Sequence, residues 1–512
     1  MPLISDGFVS GERFRGRAEL NERVGRAAAA LRRLGIGSGD CVAILMRNDL
    51  AFLETSYAAM RLGAYAVPIN WHLRGPEVAY ILADCAARVL VGHADLLAGV
   101  AGHVPAFVTV VYVEPPPEVV AAYRLSSADK HRPHGAIEYE DWIDREDPDE
   151  GPAATATQSI IYTSGTTGRP KGVRRPVPTP AHAAEIARLR ELAYGIKPGI
   201  RTVVAGPLYH SAPNSFGLRA GPVCDLLVLM PRFEPEAFLR IVEHERIDTV
   251  FLVPTMFIRL LKLPDAVRSA YDVSSLRFVI HAAAPCPPEV KRAMIAWWGP
   301  VINEFYGGTE SGPVTFATAA DALAKPGTVG KAAPGAQIRI LDDDGAVLPR
   351  GQVGEVYSRI EAYADFTYQN APEQRAAIER DGFITCGDLG YLDEDGYLFI
   401  CDRKRDMIIS GGVNIYPAEI EAAIHALPGV RDCAVFGVPD PEYGESVVAV
   451  VEPLEGATLE PAAMREALAR EIAAYKVPRT IEIRHDLPRE DSGKIFKRKL
   501  RDAVWSGAGR AI

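Results

Sequence analysis

The segment Tyr162-Thr163-Ser164-Gly165-Thr166-Thr167-Gly168-Arg169-Pro170-Lys171-Gly172, directly after the strand-like QSIIY, gathers what a polyphosphate needs. Crowded anionic oxygens are held by backbone N–H groups, hydroxyl donors and a cation in close approach, and this run supplies all three. It is not the common P-loop, which closes on GK[ST]; here Pro170 precedes Lys171 and Gly172 follows it. The bland alternative is a flexible polar turn, which so many glycines and hydroxyls before Pro-Lys-Gly argue against. Three more side chains carry chemistry. Glu310, in Tyr306-Gly307-Gly308-Thr309-Glu310, is an oxygen ligand of the kind a hard cation such as Mg²⁺ takes, or else an exposed turn carboxylate. Asp388 can accept from two neighbouring hydroxyls of a sugar, or can be an Asx-turn residue in the turn expected for Gly387-Asp388-Leu389-Gly390. Lys494 follows a flexible Ser492-Gly493 pair, and its ammonium suits negative charge developing on a phosphate; Arg489, Lys497, Arg498, Lys499 and Arg501 crowd it, so a solvated basic tail is the alternative.

These motifs resemble, in order, the signatures of the adenylate-forming superfamily: acyl-CoA synthetases, aryl-CoA ligases, peptide-synthetase adenylation domains and beetle luciferases. The loop at 162–172 matches its phosphate-binding signature, and PLYHSAP at 207–213 looks like the acyl-pocket segment. HAAAPCP at 281–287 looks like the adenine-side segment, and Tyr306 to Glu310 like the Tyr-Gly-x-Thr-Glu motif. Gly387–Gly390, Asp402–Asp406 and Gly411–Ile415 match the hinge region, and Ser492–Ile495 the C-terminal catalytic segment. The pattern is most similar to fatty-acid or aryl and alicyclic acid CoA ligases. The matches run from residue 162 to 498; before 150 the likeness rests on pattern alone.

The resemblance implies an ATP-dependent ligase that joins a carboxylic acid to coenzyme A through an acyl-adenylate. It implies catalytic roles for Lys494, Glu310, Thr166 and His210, with Mg²⁺ held at Thr166 and Glu310. For ATP and AMP it implies Thr163, Ser164, Gly165, Thr166, Thr167, Gly168, Lys171, Ala282, Ala283, Ala284, Glu304, Phe305, Tyr306, Gly307, Thr309, Asp388, Arg403 and Lys494. For the acyl group it implies Tyr209, His210, Asn214, Phe216, Val253, His281 and Ala282, with His210 as a gate; His281 stands where relatives more often have a small residue. Gly411 and Gly412 would let backbone approach the thiol arm of coenzyme A, and Asp402 would be the hinge. Arg405 replaces a lysine common among relatives. The basic residues around Lys494 would suit a phosphate of coenzyme A. Tyr209, Pro213, Phe216, Leu252, Val253 and the alanines favour a hydrophobic monocarboxylate. A carrier-protein acceptor, an oxidative fate as in luciferase, and a non-catalytic scaffold are the competing readings; intact Glu310, Asp388, Arg403 and Lys494 weigh against the last.

The elements that must position these groups are legible as alternating apolar runs and helical segments. AELNERVGRAAAALRRL at 18–34 has helical composition, CVAILM at 41–46 reads as a buried strand, and the alternation recurs at 66–70, 87–92, 202–205, 226–230, 249–253 and 277–281. That pattern predicts a largely parallel sheet covered by helices. Residues 114–156, rich in Pro, Asp and Glu, read as a surface loop region with a short helix, and His131 and His134 as solvated histidines. From about 325 short strands with Asp-Gly turns follow, and after Asp402 about 110 residues of mixed helix and strand. The fold expected is α/β: a large N-terminal body of stacked α/β sheets with a small β-barrel-like portion over 1–401, and a mobile C-terminal α+β lid domain over 402–512.

The net charge of −10, from 66 acidic and 56 basic residues, argues against a nucleic-acid partner. Seven scattered cysteines with no CxxC suit a reducing compartment and give a structural zinc no support. No apolar run is long enough to span a membrane and the start lacks a signal-peptide core, so a cytoplasmic location is expected. The partners expected are the small carboxylic acid, ATP and coenzyme A; assembly as a homodimer stays open.

Overall fold

The structure, a computed structural model, describes residues 6–126, 132–163, 170–404, 406–410, 413–440, 443–489, 495–497 and 499–501. Short β-branched runs buried on both faces form two parallel sheets, the arrangement such runs require. The larger has seven strands in the order Ile302–Glu304, Phe278–His281, Thr249–Leu252, Arg201–Val204, Leu226–Leu229, Gly7–Ser10 and Arg13–Gly16. Only its last pair is antiparallel. The second runs Tyr65–Pro68, Cys41–Leu45, Val89–His93, Thr109–Val113 and Ile137–Glu138, all parallel. Helices Arg17–Arg33 and Leu50–Arg61 pack between them, and one apolar core runs through both sheets.

The region 114–156 corrects the expectation of a surface loop. Helix Pro117–Tyr123 buries Val119, strand Ile137–Glu138 closes the second sheet, and helix Tyr139–Asp144 buries Tyr139, Trp142 and Ile143 in the main core. Its abundant Pro, Asp and Glu hide three apolar anchors at i, i+3 and i+4. His131 lies outside the described residues, and His134 is exposed.

A third, antiparallel sheet forms the half-barrel portion: Thr315–Phe316, Thr328–Ala332, Leu398–Arg403, Phe383–Leu392, Gly354–Ile360 and Ala336–Leu341. Asp-Gly turns join its strands as expected; Ala346 N–H donates to the Asp342 carboxylate at 2.8 Å, beside Gly345 at φ +89°. A small sheet of Thr367–Tyr368, Lys171–Arg174 and Ile161–Thr163 sets the two ends of the glycine-hydroxyl segment side by side, Thr163 opposite Lys171.

Residues beyond Ile408 build their own core. Strands Val430–Asp440 and Gly444–Pro453 pair antiparallel, Thr480–Ile483 adds in parallel, and helices Pro417–His425 and Pro461–Glu471 cover the sheet. Pro417 stands at the first helical position, where its missing N–H costs nothing. Ile420 and Ile424 from one helix meet Met464 and Leu468 from the other, each pair at i, i+4. No helix among the described residues is long and apolar enough to cross a membrane.

Candidate active site

A cavity of about 2310 Å³ opens between the parallel sheets, the antiparallel sheet and the C-terminal unit. The two described ends of the phosphate-type segment enter it from the small sheet. Thr163 Oγ1 donates to Glu310 Oε1 at 3.4 Å, and the Tyr368 hydroxyl donates to the same oxygen at 3.0 Å. Lys171 Nζ lies 5.1 Å from the Tyr368 ring centre; burial lowers its ammonium below the ordinary lysine value, and Glu310 opposes that. Ser164, Gly165, Thr166, Thr167, Gly168 and Arg169 lie outside the described residues.

Glu310 is presented by a hairpin that only glycine can build. Gly307 pairs with Pro313 and Gly308 with Gly312, so closely that a Cβ on Gly307 would stand 1.8 Å from the Gly312 carbonyl oxygen. Arg175 holds the turn: its guanidinium donates to the Glu310 carbonyl, to Thr309 O at 3.4 Å and to Ala364 O at 2.7 Å. This clamp is invisible in the sequence, where Arg175 is merely the second of two arginines leaving the loop strand. Among the described residues no three His, Cys, Asp or Glu side chains gather to hold a metal ion by themselves. One carboxylate beside hydroxyls and a phosphate-type loop fits Mg²⁺, which keeps waters and takes its other oxygens from substrate phosphates.

Asp388 corrects a local expectation. Gly387–Gly390 is not a turn but lies within strand Phe383–Leu392, bulged between Leu389 and Gly390, where Asp388 pairs with Arg403 across the ladder. Gly387 at φ +77° gave the stretch its turn-like composition. The Tyr306 hydroxyl donates to Asp388 Oδ2 at 2.7 Å, and Arg403 Nε stands 3.4 Å from Oδ1. Burial and the Asp388 charge push the Tyr306 phenol well above its usual value, so it stays a donor. Burial opposes the Arg403 charge, but Asp388 outweighs it and raises the guanidinium.

Ala282, Ala283 and Ala284 line the cavity, as do Glu304, Phe305, Tyr306, Gly307 and Thr309. Ala283 holds φ +75°, a conformation alanine adopts only under constraint and one that clusters at binding sites. Beneath this wall Lys291 pairs with Glu304 and donates to Thr328 O at 3.2 Å, a buried pair the sequence analysis did not find.

On the acyl side Tyr209, His210, Asn214 and Val253 line the cavity. His210 stands at the N-cap position of helix Ser211–Ala220, its ring 4.3 Å from that of Tyr209, which meets Trp71 edge-on at 4.5 Å. Asn214 donates to Leu208 O at 2.8 Å. Two assignments need correction: Phe216 and His281 are not among the lining residues. Phe216 turns away from the lining stripe and packs on Tyr194 and Phe251. His281 ends its strand on the face away from Ala282, fully buried, its ring 5.2 Å from Phe257. Burial, then the Lys291 charge, lowers this imidazole well below its usual value and keeps it neutral.

Asp402 lies inside strand Leu398–Arg403 and accepts from Ala418 N–H at 2.9 Å, joining the strand end to the first turn of helix Pro417–His425. Lys494, Gly411, Gly412 and Arg405 lie outside the described residues, as does Arg498. Several of their basic neighbours are not a solvated tail: Arg489 pairs with Asp432 and Glu452, Lys497 with Glu421 at 2.7 Å, and Arg501 with Asp406 at 3.5 Å. Cations already engaged in this way are not spare for a phosphate of coenzyme A. Ile495, Lys497, Cys433 and Phe436 form the C-terminal wall of the cavity.

The two described ends of the phosphate-type segment, Thr163 and Lys171, meet Glu310 and the Tyr306–Asp388–Arg403 set at one cavity. The sequence matches the AMP-binding enzyme family over residues 9–364 and the AMP-binding enzyme C-terminal domain over 419–494. The chain belongs to the AMP-binding enzyme family, among its ATP-dependent acyl-CoA synthetases, whose reactions use ATP, Mg²⁺ and coenzyme A. It is 36% identical to an indoleacetate–CoA ligase of Aromatoleum aromaticum over 95% of this chain and 92% of the relative. It is also 36% identical to a feruloyl-CoA synthase of an Amycolatopsis species, over 94% and 93%. Among solved structures it resembles ATP-bound MatB from Rhodopseudomonas palustris, with TM-score 0.84, 29% identity and 98% and 96% of the two chains covered. The anthranilate CoA ligase AuaEII, in complex with anthranoyl-AMP, aligns with TM-score 0.84 at 26% identity over 98% and 95%.

Proposed function

We propose that the chain activates a carboxylic acid with an apolar body adjacent to the carboxyl, in two steps at one cavity. In the first, a carboxylate oxygen attacks the α-phosphorus of ATP; the bond to the β-phosphate breaks, giving acyl-AMP and pyrophosphate. In the second, the sulfur of coenzyme A attacks the acyl carbonyl and AMP leaves, giving the thioester. Thr163, Lys171 and the loop between them grip the phosphates, and Mg²⁺ at Glu310 and Thr166 neutralises phosphate charge when bound. Asp388 accepts from the ribose hydroxyls, with Tyr306 and Arg403 fixing its carboxylate, and Ala282 to Ala284 with Tyr306 wall the base. Tyr209, His210, Asn214 and Val253 receive the acid. Lys494 supplies positive charge in the first step, by electrostatics rather than proton transfer. Residues 1–401 act as body and 402–512 as lid, Asp402 being the hinge that exchanges the Lys494 face for the Gly411–Gly412 face.

The observation that carries this reading is the meeting of Thr163, Lys171 and Glu310 with the Tyr306–Asp388–Arg403 set on one cavity. The relatives named for indoleacetate and ferulate favour an apolar body on the acid. The decisive assay is pyrophosphate release across a panel of carboxylic acids with and without coenzyme A. AMP is expected as the nucleotide product, with turnover strongly dependent on coenzyme A; ADP in its place would overturn the scheme. Lys494→Ala should abolish acyl-AMP formation and spare thioester formation from supplied acyl-AMP. Equal loss of both halves would remove the lid exchange.

A further inference from the structure

Two helices that face the acyl side of the cavity each carry an arginine with no partner among the described residues. Along helix Pro180–Tyr194 the lining residues are Ala183, Ile186, Arg190 and Tyr194, a stripe at i, i+3, i+7 and i+11. Along helix Ser211–Ala220 they include Ser211, Ser215 and Arg219, at i, i+4 and i+8. Among the described residues, neither Arg190 nor Arg219 is joined by an ion pair or hydrogen bond to any side chain or carbonyl, and the buried Nε of Arg190 has no acceptor. The two guanidiniums feel each other's charge, and Arg175, held by carbonyls alone, adds a third cation that feels Arg219. Burial first, and Arg219 second, hold Arg190 below the ordinary arginine value, with only the Tyr363 phenol acting against them.

The position of this cluster ties it to the acid rather than to the base. Tyr194 meets Phe305 at 5.1 Å, and Tyr363 packs so tightly on Gly312 that a Cβ there would stand 2.7 Å from its ring. Phe305 and Gly312 bracket the hairpin that carries Glu310, so the arginines stand off the end of that hairpin, between it and the two acyl-lining helices. A partly buried cation with no anion is costly to fold around. At five other places this chain meets a partly buried arginine with a carboxylate: Arg13 with Asp49, Arg23 with Glu54, Arg47 with Asp95, Arg201 with Glu245 and Arg489 with Glu452. Two guanidinium forks left open toward a cavity match the planar geometry of an oxyanion. Ser215 and the Tyr194 hydroxyl beside them add neutral donors.

We propose that the acid activated here carries a second, distal anionic group, a carboxylate in the first place, which seats on Arg190 and Arg219 while the reacting carboxylate faces the α-phosphate. Ala183, Ile186, Ala212 and Leu218 accommodate the apolar spacer between the two ends. This departs from the hydrophobic monocarboxylate expected from the motif, keeping its apolar body but adding a charged far end, and it rests on the acid-activating reading above.

The test is pyrophosphate release without coenzyme A, so that only adenylation is read. Linear α,ω-dicarboxylates from four to nine carbons are compared with monocarboxylates of the same length, and phenylacetate with its para-carboxy derivative. The ω-sulfonate of the best length distinguishes carboxylate from oxyanion in general. The expected result is at least one dianionic acid with kcat/KM ten-fold or more above its monoanionic partner. Arg219→Gln and Arg190→Gln should each collapse that ratio through KM for the dianion, with KM for ATP unmoved. Arg219→Lys should restore part of it, and Arg188→Gln, on the exposed side of the helix that carries Arg190 and paired with Glu185, should keep it whole. Preference for the monoanion throughout, or a ratio indifferent to both glutamine variants, overturns the proposal. A rise in KM for ATP instead would make the arginines a phosphate site and equally overturn it. Absence of pyrophosphate release with every acid would strike the acid-activating reading itself, and the distal site with it.

Discussion

Two arginine-bearing clusters in this molecule are built differently. At the junction of the two parallel sheets, Arg13 reaches from the edge strand of one to Asp49, at 2.6 Å, and to Glu118; Asp49 also meets His93, from the other sheet, at 3.0 Å. Ser10 donates to Glu118 at 2.7 Å, so two cationic or cation-forming side chains face two carboxylates. Beside the cavity, Arg190 and Arg219 meet no carboxylate among the described residues. At the sheet junction, charge meets its counter-charge within the fold itself. Where it is left open at a cavity wall, the counter-charge has to arrive with a ligand. The comparison therefore predicts opposite outcomes for mutations of similar chemistry.

The largest effect belongs to the paired cluster. Asp49→Ala leaves Arg13 with one carboxylate instead of two and takes from His93 a partner at zero exposure. Removing one member of a buried pair costs about 3–5 kcal/mol. Urea unfolding of the purified variant measures it; a loss below about 1 kcal/mol would mean that the junction is held by apolar packing alone and that pairing says little about purpose.

The acid limb of stability is the second test. Burial by itself would raise the Asp49 carboxyl, but His93 and Arg13 outweigh it and bring it to about 2, from an ordinary 3.8. A carboxyl depressed in the folded state binds its proton more weakly there than in the unfolded chain. Its stabilisation is therefore complete above about pH 4 and drains away as pH falls toward 2. At about 1.36 kcal/mol per unit the contribution is on the order of 2 kcal/mol. Unfolding free energy measured between pH 5 and 2.5 should fall more steeply in the native sequence than in Asp49→Asn. Parallel slopes would show that the depression is not there.

The same contrast explains what was legible before the structure. The glycine-hydroxyl loop, the Tyr-Gly-Gly-Thr-Glu hairpin and the parallel strands are local patterns, written in adjacent residues. Thr163, Lys171, Glu310, Tyr306, Asp388 and Arg403 come together as their motifs implied. What escaped was long-range. The Arg175 clamp on Glu310 spans 135 positions, and Arg13 meets Glu118 across 105. No periodicity reports that Arg190 and Arg219 lack carboxylates, because that is a property of everything packed around them. Asp388 was misread as a turn because Gly387 and Gly390 flank it, although the bulge they permit keeps it in a strand aimed at Tyr306. Phe216 was assigned to the acyl wall by its neighbours in sequence, whereas a helix gives that wall Ser211, Ser215 and Arg219 and sends Phe216 to the core.

The smallest effect is the one that decides the comparison. In Arg219→Gln or Arg190→Gln no ion pair is broken, and one partly buried like-charge contact is relieved. Both groups keep some contact with water in the cavity, which screens their repulsion. The stability of each variant should therefore stay within about 0.5 kcal/mol of the native chain, with the sign toward stabilisation. The two substitutions together should be at least as stable as either alone, since the repulsion can be removed only once. Addition of a dianionic acid should then raise the melting temperature of the native chain and leave that of the double variant unmoved, because a ligand stabilises only the state that binds it. A double variant destabilised by several kcal/mol would place these arginines with Arg13, as parts of the frame.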